Sequence, residues 1–169
     1  MNGAGPQPEA DALVIFGITG DLARKKTFIA LYALERSGLL RCPVIGVAVD
    51  AWSTEQLRAR AREAITAGEA SIDERALERL AARLAYVGGD LQAEDTYTRV
   101  GEPLRQARAP VFYLEIPPSL FAAVVAGLAR ANPPRLGGRS RAVSQELQAQ
   151  STGQGRRDRK VREGLQGRI

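Results

Sequence analysis

Gly17, Gly20, Asp21, Arg24, Lys25 and Lys26 lie close together in Gly17-Ile-Thr-Gly-Asp-Leu-Ala-Arg-Lys-Lys26, and their types suit the binding of a phosphate. Glycines allow a tight turn and leave the main chain open to a ligand, while the first N–H groups of a following helix have no intrahelical acceptor and attract an anion. Three cations in a first helical turn oppose the helix dipole by about 0.3 to 1 kcal/mol each. A pyrophosphate or a 2'-phosphate would offset that cost; the plainer alternative is that all three are solvated and screened. Asp21 reads first as a helix cap accepting backbone N–H bonds and only second as a ligand contact.

Other chemistries lack their residues. The 169 residues contain no histidine, which removes the commonest general base and the commonest metal ligand. Cys42 is the single cysteine, so neither an intrachain disulfide nor a cysteine metal site is available, and it reads as a small buried hydrophobe. No Ser-Lys or paired-carboxylate constellation substitutes for the missing base. The expectation is therefore an anion site with no catalytic and no metal-binding residue.

The elements that must position this site alternate. Leu13 to Phe16 form a continuous apolar run, the pattern of a strand covered on both faces, and the chain turns at Gly17. A helix over residues 22–37 with Gly38 as its stop, a buried strand over Pro43 to Val49, and a helix opened by the capping-box pair Ser53 and Gln56 follow. Ser71 and Glu74 repeat that spacing before another helix. A short strand at Ala85 to Val87 ends at Gly88-Gly89-Asp90. A polar helix over Glu94 to Gln106 and a fourth strand over Val111 to Ile116 come next, and Ser119 opens a last helix to about Arg130. This order implies right-handed crossovers and an α/β Rossmann-type parallel sheet with helices on both faces. Such a sheet binds its ligand at the carboxyl ends of its strands, where Gly17 to Gly20 and Asp90 both fall.

An apolar content of 44% with 25% charged residues places the chain among soluble globular proteins. No secretory leader and no run near 18 apolar residues is visible, so no membrane contact and a cytoplasmic location are expected. The net charge of +5 is unevenly spread: residues 1–130 hold 15 basic and 16 acidic side chains, residues 131–169 hold 9 and 3. The chain thus divides into a flexible leader at 1–11, a ligand-binding domain at 12–130 and a basic tail at 131–169. The tail keeps neither the strand nor the helix period and reads as disordered, with at most a weak helix from Arg141 to Gln150.

Gly17-Ile-Thr-Gly-Asp-Leu-Ala-Arg-Lys-Lys26 resembles the GxxGDLAxxK signature that opens glucose-6-phosphate dehydrogenases. Gly38-Leu39-Leu40, Val44-Ile45-Gly46-Val47-Ala48 and Tyr113-Leu-Glu-Ile-Pro-Pro-Ser-Leu-Phe121 keep the same order, so the resemblance covers about residues 12–130. It implies the amino-terminal dinucleotide-binding domain of an oxidoreductase that oxidises glucose 6-phosphate to the lactone in the pentose phosphate pathway of glucose metabolism. It further implies that Gly17, Ile18, Thr19, Gly20, Asp21, Leu22, Ala23 and Arg24 line the phosphates and that Asp90 and Leu91 form a second cofactor-contacting position. The cofactor implied is NADP. Many members carry an arginine near the end of the second strand for the 2'-phosphate; here Val49 takes that place and Asp50 follows, and an acid there favours the free ribose of NAD. Either Asp50 meets the ribose of NAD, or it points away and Arg24 or Lys25 serves NADP.

The family's Glu-Lys-Pro-Phe-Gly strand end and its histidine motif do not occur in this sequence. The resemblance therefore implies an inactive fragment, truncated after the fourth strand and followed by a non-homologous tail, for which a reading-frame change near residue 130 is one origin. The alternatives are a stand-alone non-catalytic dinucleotide-binding module and a nucleic-acid-binding arm. The arm lacks aromatic side chains to stack on bases, which argues against it. If the sheet stops at four strands, Val111 to Ile116 present a bare hydrophobic edge, and self-association through that edge is expected.

Overall fold

A computed structural model describes residues 9–131 and 141–144. The chain opens with strand β1 (Ala12–Phe16), passes through a π turn (Ala23–Thr27) into helix α1 (Phe28–Arg36), and returns as β2 (Val44–Ala48). Helices α2 (Thr54–Gly68) and α3 (Glu74–Arg83) precede β3 (Leu84–Gly88). Helix α4 (Glu94–Gly101), β4 (Pro110–Leu114), α5 (Phe121–Arg130) and β5 (Arg141–Ser144) complete the order. The strands are all parallel in the order β3-β2-β1-β4-β5. That is the Rossmann arrangement, with the order reversing beside β1.

Period-2 alternation in β1 divides the core. Ile15, with Ile18, faces Phe28, Leu31 and Tyr32 of α1, Leu57 and Ile65 of α2, and Leu77 and Leu80 of α3. Val14 and Phe16 face Tyr97 and Val100 of α4 and Val124 and Leu128 of α5. All five residues of β2 are buried, as expected for a strand flanked by two others and covered on both faces. Cys42 is buried at 7% exposure and burial pushes its thiol pKa up, in keeping with a packing role.

Several local expectations hold. Ser53 and Gln56 form a complete capping box at the start of α2. Others need correction. Asp73, not Ser71, caps α3: its carboxylate accepts the Ala76 N–H at 3.1 Å, and the Asp73 N–H donates to the Tyr32 hydroxyl at 2.7 Å. The acid directly before the first turn has the shorter reach, and its amide is held by the core tyrosine. The α4 helix stops at Gly101 rather than Gln106, because glycine and Pro103 weaken the next turn. Pro118–Leu120 form a 3₁₀ turn before α5.

Two larger corrections concern the ends. The leader is not wholly free: the Asp11 carboxylate accepts the Arg108 and Ala109 N–H groups at 2.5 and 2.9 Å, joining the entries of β1 and β4. Residues 1–8 lie outside the described residues. The sheet does not stop at four strands either, because β5 pairs with β4 from Val111↔Arg141 to Leu114↔Ser144. β4 is therefore an interior strand, and the expected bare edge and the self-association argued from it lose their basis. A strand at 141–144 also replaces the start of the helix expected over Arg141 to Gln150. Parallel pairing is made by main-chain groups, so four residues without side-chain periodicity can join a sheet whose neighbour is already in place. The rest of the tail expected to be disordered, 132–140 and 145–169, lies outside the described residues.

Candidate functional site

Gly17 closes β1 at φ +88°. Its N–H donates to the Val47 carbonyl at 2.7 Å, its carbonyl accepts from Gly20 N–H at 2.9 Å, and the Gly20 carbonyl accepts from Arg24 N–H at 3.2 Å. This leaves the N–H groups of Ile18 and Thr19 without a backbone acceptor among the described residues, at the carboxyl ends of β1 and β2. The two glycines serve different ends. A Cβ on Gly17 would stand 2.2 Å from the Glu115 carbonyl oxygen, so that position is filled by the end of the neighbouring strand. A Cβ on Gly20 would meet only the Gly17 carbonyl, at 3.2 Å, and otherwise face open space. Ligand approach is thus available at Gly20, whereas Gly17 is required by the sheet.

Ile18 is fully buried against Gly46 and anchors the turn. Thr19 instead reaches across to the end of β2, where its hydroxyl donates to Asp50 Oδ2 at 2.6 Å. Asp50 is exposed and its carbonyl accepts from the Tyr86 hydroxyl at 2.8 Å. The same hydroxyl reaches the Ala48 carbonyl at 3.2 Å, and burial followed by the charge of Asp50 pushes the Tyr86 pKa up to about 12. Tyr86 is therefore a neutral strut under the β2 terminus.

The helix after the turn differs from expectation. Its first turn is a π turn, a feature that frequently marks functional sites. Ala23 and Thr27 are buried while Arg24, Lys25 and Lys26 project outward. Asp21 does not cap this turn by its side chain. Its carboxylate pairs with Lys25 Nζ at 2.5 Å and Arg24 at 2.7 Å, and those bonds, Lys25 first, hold its pKa below the usual carboxylate range. The local cations compete successfully with the backbone for the acid. Lys26 has no ion pair among the described residues.

Asp90 and Leu91 follow β3. The Asp90 carboxylate accepts the Gln92 N–H at 2.9 Å and its carbonyl accepts the Thr96 hydroxyl at 2.7 Å, while the Leu91 carbonyl accepts from the Tyr97 hydroxyl. The Gly89 N–H donates to the Ala48 carbonyl at 2.8 Å, which ties this loop to the end of β2. The turn at 17–20, Asp50 and the Asp90 loop therefore share one end of the sheet. Leu22 and Ala23 sit behind the turn, half-buried and buried.

Glu115 was not among the sequence candidates, and it lies at the end of β4 beside Gly17. Its Oε1 accepts from the Thr27 hydroxyl of the π turn, while Oε2 is buried without a hydrogen-bond partner among the described residues. Burial pushes its pKa up, and the Thr27 bond opposes that only in part. A raised carboxyl pKa means the folded chain holds the proton more tightly. The resulting stability is complete below the ordinary glutamate value of about 4.3 and is lost as pH rises through the folded value. Glu115→Gln cannot ionise, so its stability should gain on that of the parent between about pH 4 and pH 8 in urea unfolding. Parallel pH profiles for the two proteins would show that Glu115 ionises without penalty.

A cleft of about 610 Å³ opens beside this turn, lined by Thr19, Gly20, Arg24 and Lys25 on one side and by Trp52, Arg60 and Glu63 on the other. Among the described residues no cluster of His, Cys, Asp and Glu could hold a metal, and no helix is long and apolar enough to cross a membrane.

Comparison with known proteins identifies the family of this fold. The profile of the family described as "Glucose-6-phosphate dehydrogenase, NAD binding domain" matches residues 14–148, past the Arg130 limit drawn from the motifs and through β5. Residues 131–148 of the tail expected to be non-homologous therefore fall within the family match. Glucose-6-phosphate 1-dehydrogenase 1 of Mycobacterium tuberculosis is 52% identical over 120 residues, 71% of this chain and 26% of the relative. The Dickeya dadantii enzyme is 35% identical over 127 residues, again 26% of its length. This chain thus spans about a quarter of the curated relatives it matches. The crystal structure of glucose-6-phosphate 1-dehydrogenase from Mycobacterium avium superposes with a TM-score of 0.74 at 49% identity, over 80% of this chain and 29% of that one. A glucose-6-phosphate dehydrogenase solved with glucose 6-phosphate superposes at 0.67 with 25% identity, over 83% and 30%. The Gly-Asp-Leu-Ala turn, the 3-2-1-4-5 sheet and these matches have one reading: the chain belongs to the glucose-6-phosphate dehydrogenase family, within its NAD-binding domain.

Proposed function

We propose that these 169 residues bind the dinucleotide for a glucose-6-phosphate dehydrogenase, with NADP as the preferred cofactor and NAD accepted. The observation that carries this reading is the open side of Gly20, with the N–H groups of Ile18 and Thr19 lacking backbone acceptors among the described residues, at the carboxyl end of β1. Gly17 to Asp21 and Arg24 would surround the pyrophosphate, with Leu22 and Ala23 backing the turn from behind. Asp50 and Thr19 would meet the adenine ribose, and Asp90 and Leu91 would border the adenine from the end of β3. A bound nicotinamide supplies the hydride acceptor for oxidation of glucose 6-phosphate to its lactone.

What the chain's own residues do is hold and orient. The sugar hydroxyl must lose a proton as hydride leaves, and no histidine stands among the 169 residues to take it. Tyr86 keeps its proton, and the Glu115 carboxylate is bonded to Thr27 by one oxygen with the other buried. The isolated chain is therefore expected to bind dinucleotide without turning over glucose 6-phosphate. Calorimetric titration with NADP and NAD, alongside an absorbance assay at the reduced-nicotinamide band, tests both halves. Absence of binding would overturn the nucleotide reading, and turnover in purified protein would overturn the inert one.

Asp50 supports NAD as the second cofactor, because a carboxylate at the end of β2 accepts from a ribose 2'-hydroxyl and repels a 2'-phosphate. Asp50→Asn keeps an acceptor for the Thr19 hydroxyl and removes the charge. It should shift the NADP-to-NAD affinity ratio about tenfold towards NADP, equivalent to about 1.4 kcal/mol. An unchanged ratio would place Asp50 outside the ribose site.

A further inference from the structure

The end of β2, Val47-Ala-Val-Asp50, offers no cation to a 2'-phosphate, yet the cleft beside it is rich in them. Arg24 and Lys25 contribute from the π turn and Arg60 from α2. The first two are committed to the same carboxylate, Asp21, at 2.7 and 2.5 Å. Arg60 is held differently. Its guanidinium carbon stands 5.8 Å from the centre of the Trp52 ring, and its only ion-pair partner among the described residues is Glu63 at 3.1 Å, with both side chains at least 60% exposed. An exposed pair of that kind contributes little and exchanges readily for a better anion.

Trp52 gives Arg60 a fixed platform. It follows Asp50 by two residues, packs on the Tyr86 ring at 6.2 Å between centroids, and Tyr86 in turn is bonded to the β2 terminus. The capping box at Ser53 sets the start of α2, which places Arg60 two turns along the helix. Ala64 and Ala67 line the same cleft from α2 with small side chains, and Gly68 is packed against Ile29 of α1. A planar guanidinium on an aromatic face, with one exchangeable tether, suits bidentate recognition of a phosphate.

Resting on the dinucleotide reading above, we propose that Arg60, seated on Trp52, is the residue that distinguishes NADP from NAD in this chain by gripping the 2'-phosphate in the cleft between the π turn and α2. Arg60 supplies from a helix the cation that the end of β2 lacks, and Thr19, bonded to Asp50, lines the same cleft. Arg60 is thus a specificity-determining residue with no part in holding the pyrophosphate.

Calorimetric titration of the full 169-residue chain and its Arg60→Ala and Arg60→Lys variants with NADP, NAD, 2'-AMP and 5'-AMP tests this. Arg60→Ala should weaken NADP and 2'-AMP about 10- to 30-fold while NAD and 5'-AMP change less than about twofold, and Arg60→Lys should fall between. An unaltered urea midpoint is expected, since the side chain is exposed. Equal losses for NADP and NAD, or no loss for either, would overturn the assignment of Arg60 while leaving the nucleotide site standing. Failure of the unsubstituted chain to bind any of the four would instead overturn the dinucleotide reading and Arg60 with it.

Discussion

Gly17→Ala is expected to destabilise the chain by about 3 kcal/mol or more and to abolish dinucleotide binding. Two separate costs combine. A side chain at φ +88° sits in left-handed backbone that costs an L-residue about 1 to 2 kcal/mol. The new Cβ would also meet the Glu115 carbonyl oxygen at 2.2 Å. That oxygen belongs to main chain at the end of β4, tied to β1 by the Glu115 N–H to Phe16 carbonyl bond of 2.9 Å, so it cannot rotate aside as a side chain could. Relief requires β1 and β4 to separate where Gly17 also bonds to Val47 of β2. Gly20→Ala is the control. Its Cβ has a single neighbour at 3.2 Å, so stability should change by less than about 1 kcal/mol, while dinucleotide binding should weaken because the methyl occupies the open side. Urea unfolding and calorimetric titration of the two variants separate these effects. Full stability in Gly17→Ala would mean that the turn is not held by the end of β4.

The second large effect is expected at Glu35, which is 3% exposed on α1. Its carboxylate accepts from Arg79 Nε at 2.9 Å and Arg83 Nε at 2.6 Å, both on α3. Removing both arginines (Arg79→Ala with Arg83→Ala) strands a buried carboxylate and should cost about 3 kcal/mol, the low end of the range for broken buried pairs. The low end applies because the Arg79 and Arg83 side chains are 51% and 31% exposed, so water reaches the pair. Adding Glu35→Leu to the double variant should recover most of the loss, because the carboxylate then no longer needs a partner. Urea midpoints of the parent, the double and the triple variant give the comparison. A double variant as stable as the parent would show that Glu35 turns out to solvent when its partners leave. Helix α1 continues directly from the π turn that displays Arg24, Lys25 and Lys26, so this anchor also steadies the candidate phosphate site.

Much of the site was legible because it is local. The strand before Gly17, the glycine turn and the cations after it lie within one short stretch, and the capping box at Ser53 and Gln56 needs only its own four residues. The misreadings share a cause. Asp21 was read as a cap because its sequence position allows it, but Lys25 and Arg24 one turn later bind it first. Ser71 lost its role to Asp73 because Tyr32, 41 residues away, holds the Asp73 amide. Glu115 carries no local signal in a strand-ending segment. Its one side-chain hydrogen-bond partner among the described residues, Thr27, lies 88 residues earlier. The fifth strand was invisible because its side chains carry no period, and only an existing β4 offers it a place.

The sequence by itself determined that a parallel sheet with helices on both faces would form, that a glycine turn would stand at Gly17 to Gly20 between the first strand and its helix, and that three cations would follow it. These follow from local patterning and from composition, which need no knowledge of partners distant in the chain. Only the tertiary structure decided that Gly17 answers to β4 while Gly20 faces open space, and that Thr19 is tied to Asp50. It also decided that Arg60 and Trp52 of another element complete the cleft. Those outcomes depend on which residues converge when strands 31 to 98 positions apart are brought side by side, and that convergence is set by packing around the sheet rather than by any one segment.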